Sequence, residues 1–228
     1  MALKHGRIRI GALLVLVVLA AIAYTGYSAN AVYQSLDHGR EQLVSAQASM
    51  NAAGRVGDAA QLRNAAAQLE QAERDFTDAQ QRSRNDPGLR LVGAVPPSGR
   101  QVDASAHLAA IGADLSRAGE GAASVAVQVA VLRQQYTGRR LTPDDLQKLL
   151  EQAQAISRNY SGSIEAIGRQ LKAAHAERAE VNITGLLPPL QHAYDEVDRA
   201  LSAADTAFLR YQDVRQVLSD FLGVRLPG

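Results

Sequence analysis

The amino-acid pattern predicts an all-α protein in which a single N-terminal transmembrane helix continues into an elongated, coiled-coil-like antiparallel helical bundle. Three observations carry this expectation. From Ile10 to Leu36 there is no charged side chain over 27 residues. Beyond that stretch apolar residues recur at alternating steps of three and four, the seam of a packed helix, and no stretch alternates with period two as a half-buried strand does. Alanine, the strongest helix former, occurs 41 times against three Phe and no Trp, a composition that favours helices with thin seams over a thick core.

The uncharged stretch reads as an anchor. Ile10, Leu13, Leu14, Val15, Leu16, Val17, Val18, Leu19 and Ile22 each favour insertion by roughly 0.3–0.6 kcal/mol at mid-bilayer, about 3–5 kcal/mol together. About 20 helical residues suffice to cross roughly 30 Å of hydrocarbon. Residues 1–9 carry Lys4, Arg7 and Arg9, and the next charge is Asp37. Positive residues stay on the cytoplasmic side, so the expectation is a single-pass membrane protein with a cytoplasmic tail at 1–9, a span at 10–31 and an extracytoplasmic remainder. A cleaved signal peptide is the rival reading, since Ala29-Asn30-Ala31 has the small-x-small form of a processing site. Tyr24 and Tyr27 fit better as an interfacial belt.

The helical bundle is expected over 32–222. Its first helix, 32–54, continues the anchor without a break, with Val32, Leu36, Gly39, Leu43, Ala46, Met50 and Ala53 as its seam. Asp58 caps a second, 58–84, with Leu62, Ala66, Leu69, Ala72, Phe76 and Ala79 on one face, and Asn85-Asp86-Pro87 stops it. The third, 101–136, has the most regular pattern: Ala104, Leu108, Ile111, Leu115, Ala118, Ala122, Val125, Val129 and Leu132. Thr142-Pro143-Asp144-Asp145 opens the fourth, 143–180, with an N-cap, a proline at the first helical position and acids against the helix dipole. The fifth, 188–222, runs from Leu190 through Tyr194, Val197, Leu201 and Phe208 to Phe221, and Gly223 ends it. Residues 223–228 read as a linker toward a further C-terminal domain. Periods near 3.5 imply near-parallel, left-handed packing, and helices of about 35 residues reach about 50 Å.

The order of parts is informative beyond periodicity. A short basic start and one span precede Ala-rich helices, and then come the connector Leu91-Val92-Gly93-Ala94-Val95-Pro96-Pro97-Ser98-Gly99-Arg100, a late Gly185-Leu186-Leu187-Pro188-Pro189-Leu190, and a closing Phe221-Leu222-Gly223-Val224-Arg225-Leu226-Pro227-Gly228. This arrangement is similar to the membrane-anchor-plus-helical N-terminal region of the bacterial family called domain of unknown function 4012. The resemblance implies a cell-envelope protein whose final helix leads into a second, mixed domain. It supplies no catalytic residues to carry over.

Little in the chain points to chemistry. No cysteine is present and the net charge is +1 with both signs interspersed, which argues against thiolate metal sites and a nucleic-acid surface. None of His5, His38, His107, His175 and His192 has the Glu-x-x-His spacing of a di-iron bundle. His107 near Asp103, and His175 near Glu177 and Glu180, read as solvated pairs. Gly119-Glu120-Gly121 sits inside a heptad run with no strand before it, so tight packing is expected there and no cofactor. The dense basic spot at Arg139 and Arg140 reads as a solvated turn or a contact for an anionic envelope polysaccharide.

If successive helices reverse, the two apolar connectors fall at the membrane end. Leu89, Leu91, Val92 and Val95 in one, with Ile183, Leu186 and Leu187 in the other, are then candidates for resting in the lipid interface, or for plugging the end of the core. The reading that follows is a non-enzymatic, membrane-anchored scaffold or stalk of the cell envelope, holding a C-terminal domain or partner protein away from the bilayer. The alternative is the ligand-sensing bundle of a receptor, which needs a second span that the charge-interrupted residues 188–228 do not provide. A heptad seam serves packing within one chain as well as between chains, so oligomeric state is left open.

Overall fold

The computed structural model describes the backbone over residues 4–56, 58–95, 98–136 and 142–211, with side chains between 26 and 209 apart from 54–56 and several within 143–159. Among these residues six helices follow in order: α1 (Lys4–Val56), α2 (Ala59–Asn85), α3 (Pro87–Gly93), α4 (Ser98–Tyr136), α5 (Pro143–Glu180) and α6 (Pro188–Tyr211), with no strand. The all-α expectation holds. Among the described residues no helix is long and apolar enough to cross a membrane. The expected span at 10–31 falls, through Thr25, on side chains outside the described set, as does the linker at 223–228. Its backbone belongs to α1, one continuous helix of 53 residues and so about 80 Å long.

The caps are those the sequence announces. Asp58 accepts the N–H groups of Ala60 at 2.8 Å and Gln61 at 3.3 Å, satisfying donors that the first turn of α2 leaves unpaired. Thr142 and Asp145 form a reciprocal box: the Asp145 N–H donates to Thr142 Oγ1 at 3.2 Å and the Thr142 N–H to Asp145 Oδ2 at 3.1 Å, with Pro143 in the first turn of α5. Asp86 serves two helices. Its N–H closes α2 on the Arg82 carbonyl at 2.9 Å, while its Oδ1 accepts from Gly88 at 2.8 Å and Leu89 at 3.1 Å to open α3.

That double role explains the one element missing from the sequence reading. Asp-Pro was expected to stop α2, and does, but an aspartate before a proline is equally an N-cap before a first helical residue. The seven-residue α3 therefore occupies what looked like plain connector, and α4 starts at Ser98, three residues early.

Small residues bring the helices close. Along α1, α2 and α4 the layers are Val32, Ala79 and Ala109 with Leu89 of α3; then Ala72, Phe76 and Ala113; then Ala46, Ala65, Leu69 and Ala123; then Ala53, Ala59, Leu62 and Ala130. The opposite side of α4 presents Leu108, Ile111, Leu115 and Ala118 to Ile167, Leu171 and Ala174 of α5 and Leu201 of α6. Helix α4 is thus the axis of the bundle, buried from Ala104 to Ala118 except at Ser105, His107 and Arg117. Phe76, the bulkiest side chain of the α1–α2–α4 side, fits only because both flanking positions are glycine. A Cβ on Gly112 would sit 2.7 Å from its ring, and one on Gly39 3.0 Å from it. The Gly119-Glu120-Gly121 step works the same way, with Leu69 against Gly119 and Ile167 against Gly121, and the helix runs straight through it.

Candidate functional site

Helices α1, α4 and α6 run one way, and α2 and α5 return, so the connector 86–97 and the connector 181–187 share the end of the bundle that holds Ser28. Three sets of hydrogen bonds assemble that end. The Ser28 hydroxyl donates to Asp86 Oδ2 at 2.9 Å. Gln101, in the first turn of α4, grips the second connector with both amide atoms: its Nε2 donates to the Gly185 carbonyl at 2.9 Å and its Oε1 accepts the Leu187 N–H at 3.0 Å. Arg100 reaches the Thr184 carbonyl at 3.4 Å. Gly185 supplies the left-handed turn, φ +75°, that a side chain would strain.

The seven apolar candidates divide between two duties. Leu89 and Leu186, 5% and 4% exposed, turn inward. Leu89 fills the last layer against Val32, Ala79 and Ala109. These two plug the core and do not face outward as interface residues would. Val92 is half-buried. Leu91, Val95, Ile183 and Leu187 are 53–71% exposed. Tyr27, on α1 at the same end, is 71% exposed, so five of the eight large hydrophobics that lie open among the described residues belong to this end of the bundle. Arg139 and Arg140 lie outside the described residues.

The bundle also begins earlier than expected. Ser28 is 5% exposed and already bonded to Asp86, four residues before the boundary placed at 32. Ser28 is thus the first buried residue among those whose side chains are described, with the uncharged stretch from Ile10 preceding it on the same helix.

His107 and His175 have partners across helices, whereas His192 pairs along α6 with Glu196 at 3.2 Å. His107 Nδ1 lies 2.6 Å from Glu177 Oε2 of α5, which Arg84 of α2 approaches at 3.6 Å. His175 Nε2 lies 2.8 Å from Asp205 Oδ2 of α6. The expected pairings, His107 with Asp103 and His175 with Glu177 and Glu180, are not among the ion pairs of the described residues, because proximity along one helix is only one of the arrangements available once a second helix packs alongside. Arg40 holds Glu196 through Nε at 2.6 Å and Nη2 at 3.0 Å, tying α1 to α6; this hydrogen bond keeps the Glu196 carboxyl below its ordinary range. Asp114 is the one buried carboxylate among the described residues. Burial raises its pKa, opposed by Arg117, which bonds it at 2.9 Å and Glu73 of α2 at 2.7 Å. Among the described residues no three metal-ligating side chains converge.

No family model, curated protein or solved structure matches this chain.

Proposed function

We propose that the chain is a membrane-anchored scaffold of the bacterial cell envelope, non-enzymatic, whose bundle stands on the outer face of the bilayer. One observation carries the reading: Ser28, which follows 18 uncharged residues of the same helix, is the first buried residue among those whose side chains are described, and that end of the bundle bears the exposed collar of Tyr27, Leu91, Val95, Ile183 and Leu187. Eighteen helical residues span about 27 Å, close to the hydrocarbon thickness. With no spacer between span and bundle, the collar is set at the lipid headgroups, where exposed Leu, Val, Ile and Tyr gain free energy that water denies them. The far end lies about 58 Å away along α4, and a partner protein, an envelope polysaccharide or a following domain is held at that distance.

Two measurements test this. Expressed with a C-terminal tag, the full chain should stay with membranes after an alkaline carbonate wash, and its tag should be cleaved by protease added to spheroplasts. A version lacking residues 1–27 should still float with liposomes, and Leu91→Asp plus Leu187→Asp should abolish that, since both sites are exposed and tolerate charge without unfolding. Release of the full chain by carbonate would defeat the anchor, and flotation unchanged by the double substitution would defeat the collar.

A further inference from the structure

Beside the collar, where α2 ends, α3 crosses and α4 begins, lies an open cavity of about 340 Å³ with Ser83, Arg84, Arg90, Asp103 and His107 in its wall. A smaller one of about 130 Å³ adjoins it and shares Ser83. Ser83 is 3% exposed, and its hydroxyl has no hydrogen-bond partner. A buried helical serine ordinarily bonds the carbonyl four residues back. Ser105 and Ser116 do so here, both at 2.8 Å. Ser83 does not, which leaves a donor in the wall of the cavity at the cost of an unmade bond. Arg90 has no ion-pair partner among the described residues, and Arg84 has only the 3.6 Å approach to a Glu177 that His107 already holds at 2.6 Å. One surplus cation, one weakly engaged cation and an orphan hydroxyl thus line a single opening.

We propose that this cavity takes the headgroup of a membrane phospholipid, the phosphodiester seated on Arg84, Arg90 and Ser83 and an acyl chain against Leu91. Guanidinium groups bind phosphate oxygens through short, charge-assisted hydrogen bonds. Asp103, an exposed carboxylate on the rim, repels a bare phosphate but accepts hydrogen bonds from a headgroup that carries donors beyond it. Ethanolamine has them and choline has none. The preference is therefore for phosphatidylethanolamine over phosphatidylcholine. The inference rests on the membrane-standing orientation proposed above, because only that orientation brings the cavity to headgroup depth.

Native mass spectrometry of the full chain in detergent, with equal amounts of the two lipids of matched acyl chains, reads the preference directly. Ethanolamine-lipid adducts should exceed choline-lipid adducts by about tenfold, the order of one charge-assisted hydrogen bond. Asp103→Asn should bring the ratio toward one, Arg90→Gln and, separately, Ser83→Ala should lower the adducts of both lipids, and Arg169→Gln, exposed on α5, should leave both readings unchanged. Far-UV circular dichroism confirms that each variant is folded. Equal adducts for the unsubstituted chain, a ratio unmoved by Asp103→Asn, or total adducts unmoved by Arg90→Gln overturns the proposal. Soluble glycerophosphoethanolamine should displace the lipid only at far higher concentration; displacement at equal concentration would make a free headgroup the ligand and overturn the lipid assignment. Membrane retention after carbonate is read separately, so a chain that stays in the membrane without discriminating headgroups refutes this inference and leaves the anchor standing.

Discussion

Replacing Gly112 by alanine sets two known effects against each other at one atom. Alanine in a helix interior gains about 0.8–1 kcal/mol over glycine, so on propensity alone Gly112→Ala stabilises α4. The new Cβ, however, meets Phe76 at 2.7 Å, a separation at which something must move. The ring has nowhere to go, because on its other face a Cβ-sized probe at Gly39 is already within 3.0 Å. Overpacking of this kind costs about 1–3 kcal/mol. The expected net loss is up to about 2 kcal/mol, or up to about 4–8 °C in Tm for a chain of this length. Gly162→Ala is the control: it is exposed in α5 with nothing within 4 Å of its Cβ, so it should gain up to about 0.8 kcal/mol. Thermal melts followed by circular dichroism, in the native sequence and in a Phe76→Leu background, decide the matter. With the ring gone, Gly112→Ala should turn from destabilising to stabilising. If it destabilises equally in both backgrounds, the glycine is not there to make room for Phe76.

Three further outcomes follow from the packing and the ion pairs. Arg117→Met should cost about 2–3 kcal/mol after allowance for the partial exposure of the arginine, because it strands Asp114 in the interior; Asp114→Asn in the same chain should recover most of that in a urea titration. Because burial raises the folded pKa of Asp114, protonation favours the native state, so the Arg117→Met deficit should shrink as pH falls. The opposite sign applies to Glu196: its folded pKa is lowered by Arg40, so its contribution is full above the ordinary value of 4.5 and is lost as pH drops through the folded one, and amide exchange should show α6 loosening on acidification, an effect absent in Glu196→Gln. Leu108→Ala, at a site 2% exposed between α5 and α6, should cost about 2–5 kcal/mol by the same melts.

The helices were legible because each level of the sequence agrees with the next. The seam positions read from the three-four step are those buried or half-buried: Val32, Gly39, Ala46 and Ala53 in α1, Leu62, Leu69, Ala72, Phe76 and Ala79 in α2, and all of Ala104 to Leu132 in α4. Asp58 and Thr142 cap because a short polar side chain before a periodic run has few other uses. What escaped is what depends on a second helix. The central place of α4, buried on every side near Gly112, is not visible in its own heptads, since a one-sided seam and an all-round burial differ there at Ala106, Ala109, Ala110, Gly112, Ala113, Asp114 and Ser116, small residues that are tolerated on either face of a helix. The partners of His107 and His175 escaped for the same reason.

The candidate end was legible in outline and ambiguous in detail, and the ambiguity has a physical source. A connector rich in Leu and Val serves a plug and a membrane contact with the same residues, and the two differ only in which way each side chain turns. Leu89 and Leu186 follow their neighbours inward, Leu89 because Asp86 starts α3 and rotates it onto Val32 and Ala109, Leu186 because Gly185 reverses the chain beneath Gln101. Once those two close the core, Leu91, Val95, Ile183 and Leu187 have no interior left to enter. Four such side chains left facing water, on the one end that α1 carries into an uncharged stretch, are a standing free-energy cost of roughly 1 kcal/mol or more apiece. A bilayer surface removes that cost, and the far end of the bundle, more than 50 Å away along α4, has no counterpart to it among the described residues.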